Sequence, residues 1–407
     1  MVCLDPAIPN VYESFMTFFF RRLQLIAATF LFLSCPLLLA QKPNPDGNIP
    51  DNSTIRVATF NVSLYGKQSG QVAGQLRGGD NPQAKKLAAI VQAIRPDILL
   101  VNEIDYDEQG LAVKRFNEDY LSVSQRGHAA INYPYRYAVP TNTGQPSAMD
   151  LDSNGITTDP NDAWGYGVYP GQYAMAVYSR FPIIESKIRT FQKYPWSQLP
   201  DALRPMDPAT GKSYYVDAVW NQLRLSSKNH VDVPVQVGQQ VVHLLASHPT
   251  PPVFDGADDH NGCRNHDEIR FWTDYLQGPA ATHLVDDAGT PGGLAEQALF
   301  IIAGDLNCDP ETGDGRRTAI QNLLHHKRLQ DPQPTSVGAS ETTGIKESRA
   351  TASFGENRQM RIDYALPSRE FILKDAGVFW PSQKNAEHDL IGASDHRMVW
   401  IEIEFRQ

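Results

Sequence analysis

Acidic, amide and imidazole side chains follow several apolar segments that have the character of β-strands. They are Asn61, Glu103, His248, Asp305, Asn307, Asp363, Asp395 and His396. A polar atom at the end of a buried strand loses hydration, and a functional site or a hydrogen-bond network is needed to offset that loss. Each residue alone has an ordinary role as a turn residue or a packed histidine. Their joint occurrence indicates one shared site.

The same residues belong to an ordered set of short motifs. These are Phe60-Asn61, Glu103, Ser179-Arg180-Phe181-Pro182, His248, Gly304-Asp305-Leu306-Asn307, Arg361-Ile362-Asp363-Tyr364 and Ser394-Asp395-His396. The set resembles the endonuclease/exonuclease/phosphatase superfamily, the deoxyribonuclease I-like metal-dependent phosphoesterases, from Ile55 to the C-terminus. This resemblance implies a four-layer α/β sandwich, in which two packed mixed β-sheets are flanked by helices and the site lies at one rim of the sheets.

Hydrolysis of a phosphate ester requires charge neutralisation on the phosphoryl group, activation of a water molecule and stabilisation of the leaving alkoxide. Mg²⁺ (or Mn²⁺) suits the first task, because hard cations prefer oxygen ligands. Glu103 is the principal expected ligand. The resemblance implies that Asn61 and Asp395 support the same ion, directly or through water.

The residues expected to act in catalysis are His248, Asp305, Asn307, Asp363 and His396. Similar enzymes pair the last of these histidines with the aspartate of the preceding motif, so His396 and Asp363 form a dyad that raises the basicity of the ring. Asp305 orients or deprotonates the attacking water, and Asn307 donates to a phosphoryl oxygen. His248 is a general acid or a second phosphate donor, although no glutamate that would orient it is identifiable. Which histidine serves as acid and which as base is left open.

Two basic side chains are candidates for contact with the substrate. Arg180 occupies a motif in which similar nucleases use a basic residue, and a structural salt bridge is the alternative. His266 lies in a polar cluster that opens a predicted helix, and the amides at a helix N-terminus attract anions. Simple capping of that helix is the alternative for His266.

The segment 150–155 matches the first half of a calcium-binding loop, with oxygen side chains at alternate positions. A structural Ca²⁺ there would be held by Asp150, Asp152, Asn154, the carbonyl of Ile156, and Asp162. The twelfth position carries an asparagine and no helical pattern flanks the segment. An Asx-rich surface turn is therefore the alternative.

The elements that must position these residues alternate between strands and helices along the chain. Strand patterns lie at 55–60, 97–101, 175–178, 241–246, 299–303, 362–366 and 398–403. Asn81 and Pro82 begin a helix that Pro96 ends. Asn265 and Glu268 have the spacing of a capping box and predict the start of a second helix.

The chain is expected to contain three segments, which are a targeting segment at 1–40, a linker at 41–53 and one domain at 54–407. Arg21 and Arg22 precede an apolar run up to Ala40, which is the order of parts in a secretory signal. Cleavage of this segment, its retention as a membrane anchor, and lipidation at Cys35 are alternatives. Each predicts export, to a periplasmic, extracellular or membrane-anchored location.

Two cysteines, Cys263 and Cys308, lie outside the targeting segment. In an oxidising compartment they can form a single disulfide. Two independent buried thiols are the alternative.

The composition limits the range of functions. Of 407 residues, 41% are hydrophobic and 20% are charged, which is typical of a globular protein and excludes a disordered tail. The formal net charge is -10, so a nucleic acid or an anionic membrane is not expected to bind across the whole surface. A local basic cleft is still compatible with this balance.

The sequence therefore predicts an exported metal-dependent hydrolase that cleaves phosphodiester bonds by metal-assisted attack of water with Asp/His acid-base catalysis. Its substrate would be a nucleic acid, a phospholipid or a small phosphate ester, and no obligate protein partner is inferred. A phosphomonoesterase and a sphingomyelinase-like lipid phosphodiesterase are alternatives on the same scaffold. A non-catalytic calcium-dependent binding module is disfavoured, because none of the expected catalytic residues is missing.

Overall fold

The computed structural model describes residues 54–356 and 358–406. The targeting segment expected at 1–40 and the linker expected at 41–53 lie outside the described residues. The described residues belong to one compact unit. A search of their helices for one able to cross a bilayer finds none.

The strands are numbered in chain order. They are β1 (Ile55–Leu64), β2 (Ile98–Ile104), β3 (Tyr135–Val139), β4 (Ala174–Ser179), β5 (Arg189–Thr190), β6 (His230–Val237), β7 (Gln240–Ser247), β8 (Leu299–Asp305), β9 (Ala352–Ser353), β10 (Gln359–Met360), β11 (Asp363–Pro367), β12 (Phe371–Val378) and β13 (Val399–Phe405).

The α-helices are α1 (Gln71–Leu76), α2 (Pro82–Ile94), α3 (Leu111–Arg115), α4 (Asp217–Trp220), α5 (His260–Tyr275), α6 (Thr318–Leu324) and α7 (Val337–Thr343). A π-helix (Phe116–Leu121) continues α3. Short 3₁₀-helices lie at Pro160–Asp162, Glu185–Lys187, Trp196–Gln198, Gly278–Ala280 and His388–Ala393.

Two mixed sheets dominate the described part of the chain. The first has the strand order β12-β13-β1-β2-β4-β3, and the second has the order β11-β8-β7-β6-β5. Each contains one parallel pair, β1 with β2 in the first sheet and β7 with β8 in the second, and its other pairs are antiparallel. Strands β9 and β10 form a separate two-stranded ribbon.

Three apolar cores define four layers. The central core joins the inner faces of the two sheets, for example Val57 and Leu100 from the first sheet with Leu244 and Ile301 from the second. A second core packs α2 and the π-helix on the outer face of the first sheet. A third core packs α5 and α6 on the outer face of the second sheet. This arrangement confirms the expected four-layer α/β sandwich.

The helix predicted from Asn81 and Pro82 is present as α2. The Asn81 side chain accepts a hydrogen bond from the amide of Ala84 at 2.9 Å, and proline stands at the first helical position. The apolar face that includes Leu87 and Val91 is buried against the first sheet. Local sequence and packing therefore specify the same element.

The capping box predicted at Asn265 and Glu268 is wrong. Helix α5 begins at His260, five residues earlier, because the carboxylate of Asp255 accepts hydrogen bonds from the amides of the first turn. Asn265 lies inside the helix, where its amide nitrogen donates to the carbonyls of Thr250 and Leu306. Its polar side chain fastens the helix to the loops that follow β7 and β8.

The disulfide considered between Cys263 and Cys308 is not formed. Both thiols are free and buried, and both pack within the outer core of the second sheet. Burial raises the pKa of the Cys263 thiol to about 11 and that of Cys308 to about 12. The alternative of two independent buried thiols is the one observed.

Candidate active site

The two parallel strand pairs bring polar residues to one rim of the sandwich. Strands β1 and β2 carry Asn61 and Glu103 towards their carboxyl ends. Strands β7 and β8 lead to His248 and Asp305 at theirs. Strand β11 is antiparallel to β8, and its first residue, Asp363, lies directly opposite Asp305. Strand direction alone therefore assembles much of the predicted site.

The segment before β13 reaches the same rim, because β13 runs antiparallel to β1. The hydroxyl of Ser394 donates to the backbone carbonyl of Asn61 at 2.8 Å. His396 forms an isolated β-bridge with Ala352. These contacts fix Asp395 and His396 beside the end of β1.

Asp305 lies at the centre of the site. Its Oδ2 atom accepts a hydrogen bond from Asn61 Nδ2 at 3.0 Å and lies 3.4 Å from His248 Nε2 and 3.6 Å from His396 Nε2. Burial alone would raise the pKa of this carboxyl group. The charge of His396 and the hydrogen bond from His248 together outweigh burial and bring the pKa below its usual range. Asp305 is therefore an ionised carboxylate between two imidazole rings.

A close approach of two strands places that carboxylate. Gly304 has φ +148°, and a Cβ atom added there would lie 2.0 Å from the backbone oxygen of Ser247. Only glycine lets β8 pass β7 this closely. The glycine that precedes Asp305 is thus a geometric requirement of the motif.

Glu103 faces the same space from the first sheet. Its Oε1 atom lies 3.9 Å from His248 Nε2, and burial raises the pKa of its carboxyl group to about 6. Ligand atoms of Glu103, His248 and Asp305 all lie within 4.8 Å of one another. The buried carboxylate of Asp305, the partly exposed carboxylate of Glu103 and the adjacent Asn61 amide form an oxygen-rich set of donors, which fits a hard divalent cation.

His396 and Asp363 form the predicted dyad. The Nδ1 atom of the ring lies 3.1 Å and 3.0 Å from the two carboxylate oxygens of Asp363. Thr351 donates its hydroxyl to Asp363 at 2.7 Å and orients the carboxylate. Burial lowers the pKa of His396, but Asp363 and then Asp305 outweigh it and raise that pKa to about 10.

His248 lacks an orienting carboxylate on its second nitrogen. Within residues 54–356 and 358–406, no hydrogen-bond partner lies near its buried Nδ1 atom. Glu268, a buried glutamate close by, accepts hydrogen bonds from Ser227 and Thr250 instead. Burial lowers the pKa of His248 to about 4, so its ring is neutral near pH 7.

Two site residues have an uncommon backbone conformation. Glu103 has φ +59° and Asn307 has φ +53°, which is the left-handed region that non-glycine residues rarely adopt. The amide of Asn307 donates to Asp305 at 2.9 Å, and its side-chain nitrogen donates to the carbonyl of Pro249 at 3.1 Å. Such strain persists where the surrounding contacts hold a functional side chain in place.

A cavity of about 340 Å³ opens onto these residues. Its acidic lining residues are Glu103, Asp305, Asp309, Asp314 and Asp395, and its basic lining residues are Arg358 and His396. Aromatic side chains lining it are Tyr65, Tyr173, Phe254 and Phe354. Asp395 accepts a hydrogen bond from the Ser63 hydroxyl at 2.8 Å.

Arg180 and His266 are not brought to this cavity. Arg180 follows β4, which runs antiparallel to β2, so it lies at the rim opposite Glu103, where it forms an ion pair with Asp97 at 2.6 Å. His266 lies within α5, 3.0 Å from the carboxylate of the adjacent Asp267. The salt-bridge alternative accounts for Arg180, and neither residue lines the cavity.

The loop expected to bind calcium brings three of its five proposed ligands together. Carboxylate oxygens of Asp150, Asp152 and Asp162 lie within 4.8 Å of one another. The Asn154 side-chain oxygen accepts a hydrogen bond from the amide of Ile156 at 2.8 Å. Asx-turn bonds of this kind also agree with the alternative of a surface turn.

Several residues of the site were not identified from the sequence. Neither Thr351, which is buried, nor Tyr65, which is exposed, belongs to a recognisable sequence motif. Lys228 is 6% exposed and precedes β6, whose pairing with β7 places it near His248. Burial lowers the pKa of this lysine, while Glu268, Glu103 and Asp305 favour its charge. A buried lysine beside these carboxylates has no sequence signature.

A family model described as the Endonuclease/Exonuclease/phosphatase family matches residues 58–396. A search of curated proteins finds no match to the chain.

Solved structures with a similar course of the chain include three from different organisms. An endonuclease/exonuclease/phosphatase from Beutenbergia cavernae has a TM-score of 0.46 at 16% identity, over 86% of this chain and 72% of that one. TDP2 from Caenorhabditis elegans has a TM-score of 0.42 at 15% identity, over 87% and 75%. The human Nocturnin catalytic domain has a TM-score of 0.41 at 13% identity, over 87% and 97%. Likenesses this distant add nothing about the chemistry of the site.

Proposed function

Because the chain belongs to the endonuclease/exonuclease/phosphatase family of metal-dependent phosphoesterases, we propose that it hydrolyses phosphodiester bonds by attack of water. The observation that carries this proposal is the position of Asp305, an ionised carboxylate 3.4 Å from His248 Nε2 and 3.6 Å from His396 Nε2. General acid-base catalysis of hydrolysis needs a positioned proton acceptor and proton donors, and this arrangement places them next to one another.

The metal proposed is Mg²⁺ (or Mn²⁺), held by Glu103 with Asn61 and Asp395. When bound, a divalent ion supplies a Lewis acid for the phosphoryl oxygen and for the leaving group. The donors are oxygen atoms from two carboxylates and an amide, which are the ligands that these ions prefer. Glu103 and Asp395 both line the cavity, and Asn61 bonds to Asp305 behind it.

The roles of the protein's own groups follow from the contacts. Asp305 orients the attacking water and accepts its proton. His396, held by Asp363, and the Asn307 amide donate to phosphoryl oxygens. His248 places Nε2 towards Asp305 and Glu103, where it serves as a general acid or as a second phosphate donor. Substrate binding is favoured because the protonated His396 ring offsets part of the negative charge of the carboxylates.

A phosphodiester suits the cavity better than a phosphomonoester. A diester carries one negative charge, whereas a monoester carries nearly two near neutral pH. The lining contains five carboxylates, and its basic members are only Arg358 and His396. Few cationic groups are therefore available to bind a dianion. A phosphomonoesterase and a sphingomyelinase-like lipid phosphodiesterase are the alternatives that substrate profiling would separate.

Export is part of the proposal. Arg21 and Arg22 precede an apolar run that ends near Ala40, and this order is typical of a secretory signal. The N-terminal sequence of the protein recovered from its native source would test it. A chain that starts near Gln41 agrees with cleavage, and an intact chain in a soluble cytosolic fraction contradicts export.

The activity is tested with bis-p-nitrophenyl phosphate and Mg²⁺ as the assay. We expect EDTA to abolish turnover and Glu103→Gln to lower kcat/KM more than about 100-fold, since even second-shell changes at metal sites cost 10–100-fold. Glu402→Gln is a matched control, because Glu402 pairs with Arg56 at the other end of β1. The proposal would be refuted if EDTA did not slow the wild type and if Glu103→Gln in Mg²⁺ were as fast as the untreated wild type.

A further inference from the structure

Phe254 protrudes at the mouth of the active-site cavity. Its side chain lines the cavity and the residue is 92% exposed. It follows Pro251, Pro252 and Val253, each of which is only partly exposed and also lines the cavity. An aromatic ring that is almost wholly in solvent buries little apolar surface, so it contributes little to the stability of the free protein.

The backbone at Phe254 is also strained. Its φ angle is +68°, in the left-handed region that bulky residues avoid. A residue that is both strained and unburied has no evident structural benefit in the unliganded protein. Strain of this kind occurs at ligand-contact positions, where the bound molecule supplies the missing contacts.

Other aromatic side chains surround the same opening. Tyr65 is 45% exposed and packs against Tyr173 with ring centroids 4.6 Å apart. Phe354 is 39% exposed, and its ring lies edge-on to His396 with centroids 5.5 Å apart. Planar apolar groups therefore adjoin His396, the residue that we propose donates to a phosphoryl oxygen. A flat, weakly polar group next to the reacting phosphate would be accommodated here.

The charge of the opening selects against a long polyanion. Asp309 and Asp314 lie on its wall, and Arg358, the basic residue beside them, is already 3.2 Å from Asp314. A duplex or a long strand binds chiefly through many cationic contacts to its phosphates. The cavity of about 340 Å³ instead has the size of a small-ligand site. The cavity is therefore suited to a substrate that has few phosphate groups.

We propose that Phe254 determines specificity by stacking on a nucleobase of a short single-stranded nucleic acid whose phosphodiester lies in the cavity. This inference rests on the proposed diesterase function and names its substrate class. Stacking between a base and an aromatic side chain does not depend on which base is present. The ring contacts the substrate beside the scissile bond and takes no part in proton transfer.

The test compares two diesters that differ in planar groups, thymidylyl-thymidine and bis(glyceryl) phosphate, with products followed by chromatography. We expect Phe254→Ala to lower kcat/KM about 10-fold for the dinucleotide, through KM, and to change the value less than 2-fold for the glyceryl diester. Ile345→Ala, which truncates another exposed apolar residue (63% exposed) away from the cavity, should change neither.

Stability and binding measurements complete the test. Phe254→Gly should raise the melting temperature, because glycine tolerates the positive φ angle. Binding of the dinucleotide to Asp305→Ala with Mg²⁺ should weaken about 10-fold when Phe254→Ala is added. This measurement needs no turnover. It therefore still tests whether Phe254 contacts the dinucleotide if the protein hydrolyses neither diester and the proposed function fails.

Two results would overturn the inference. One is an equal effect of Phe254→Ala on both diesters. The other is unchanged dinucleotide binding together with weaker binding to phosphatidylcholine vesicles, which would assign Phe254 to a lipid surface.

Discussion

Nδ1 of His396 lies 3.0 Å from Oδ2 of Asp363, and this contact joins the two sheets of the sandwich. Asp363 begins β11 of the second sheet, whereas His396 precedes β13 of the first. The hydrogen bond from Asn61 to Asp305 crosses the same junction. The active site is therefore assembled where the sheets meet, and its geometry depends on how they pack.

Replacement of the dyad carboxylate should impair catalysis while sparing the fold. In Asp363→Asn, an amide that can also donate replaces the acceptor for Nδ1, so the ring loses its orientation and its favourable charge. We expect kcat to fall by about 100-fold or more with bis-p-nitrophenyl phosphate. Asp286→Asn removes a carboxylate paired with Arg189 elsewhere and should leave kcat unchanged. Similar rates for both variants would rule out the dyad.

Loss of Asp305 should have an effect at least as large. Asp305→Ala removes the proton acceptor that lies between His248 and His396, and we expect turnover to fall at least about 100-fold. Both histidines also lose a neighbouring negative charge. Unchanged turnover, measured at saturating Mg²⁺, would show that another group activates the water.

The structure brings together most of the residues that the sequence singled out for the site, while their roles in catalysis and metal binding stay predictions. Polar residues at strand ends are recognisable because apolar runs precede them, as before Asp305 and Glu103. Arg180 follows an apolar run in the same way, yet it lies at the opposite rim, because β4 is antiparallel to β2. Local pattern does not encode strand direction. Lys228 shows the same limit, since its proximity to His248 depends on the pairing of β6 with β7.

Whole elements were also missed where the local pattern is mixed. Strand β6 is absent from the strand patterns predicted from the sequence, and it contains Pro234, a residue depleted in strands. Its pairing with β7 nevertheless continues through Pro234, which lies opposite His243. The start of α5 was misplaced because Asp255, whose carboxylate accepts hydrogen bonds from amides of the first turn, lies outside the usual capping spacing. In each case a tertiary contact overrides the local preference.

Calcium binding by the loop at 150–162 remains a prediction. Three carboxylates within 4.8 Å repel one another unless a cation or protons offset their charge. If Ca²⁺ binds, the melting temperature of the EDTA-treated protein should rise on addition of Ca²⁺, by mass action on the folded state. Asp150→Ala should abolish that rise without affecting turnover in Mg²⁺. An identical rise in Asp150→Ala would place the effect of Ca²⁺ elsewhere.

A buried histidine outside the site should make stability depend on pH. His230 is 1% exposed, with Nδ1 2.6 Å from the Ser226 hydroxyl and Nε2 2.8 Å from the carbonyl of Glu268. Burial lowers the pKa of His230 to about 4, although the hydrogen bond to the Glu268 carbonyl acts to raise it. Between that value and about 6.5, the usual value for a histidine, the unfolded chain binds a proton that the folded chain does not. The free energy of unfolding therefore falls as the pH is lowered through this range.

The size of the effect follows from the two pKa values of His230. Between pH 7 and pH 5 this one group lowers the free energy of unfolding by about 2 kcal/mol, at 1.36 kcal/mol per pKa unit. Urea unfolding at both pH values should show that His230→Gln, which cannot titrate, loses less free energy of unfolding than the wild type, by that amount. Ser226→Ala keeps the imidazole and should keep the pH dependence, although its stability is lower at both pH values. If His230→Gln loses as much stability as the wild type between these pH values, then His230 is protonated in the folded protein or its titration is not coupled to folding.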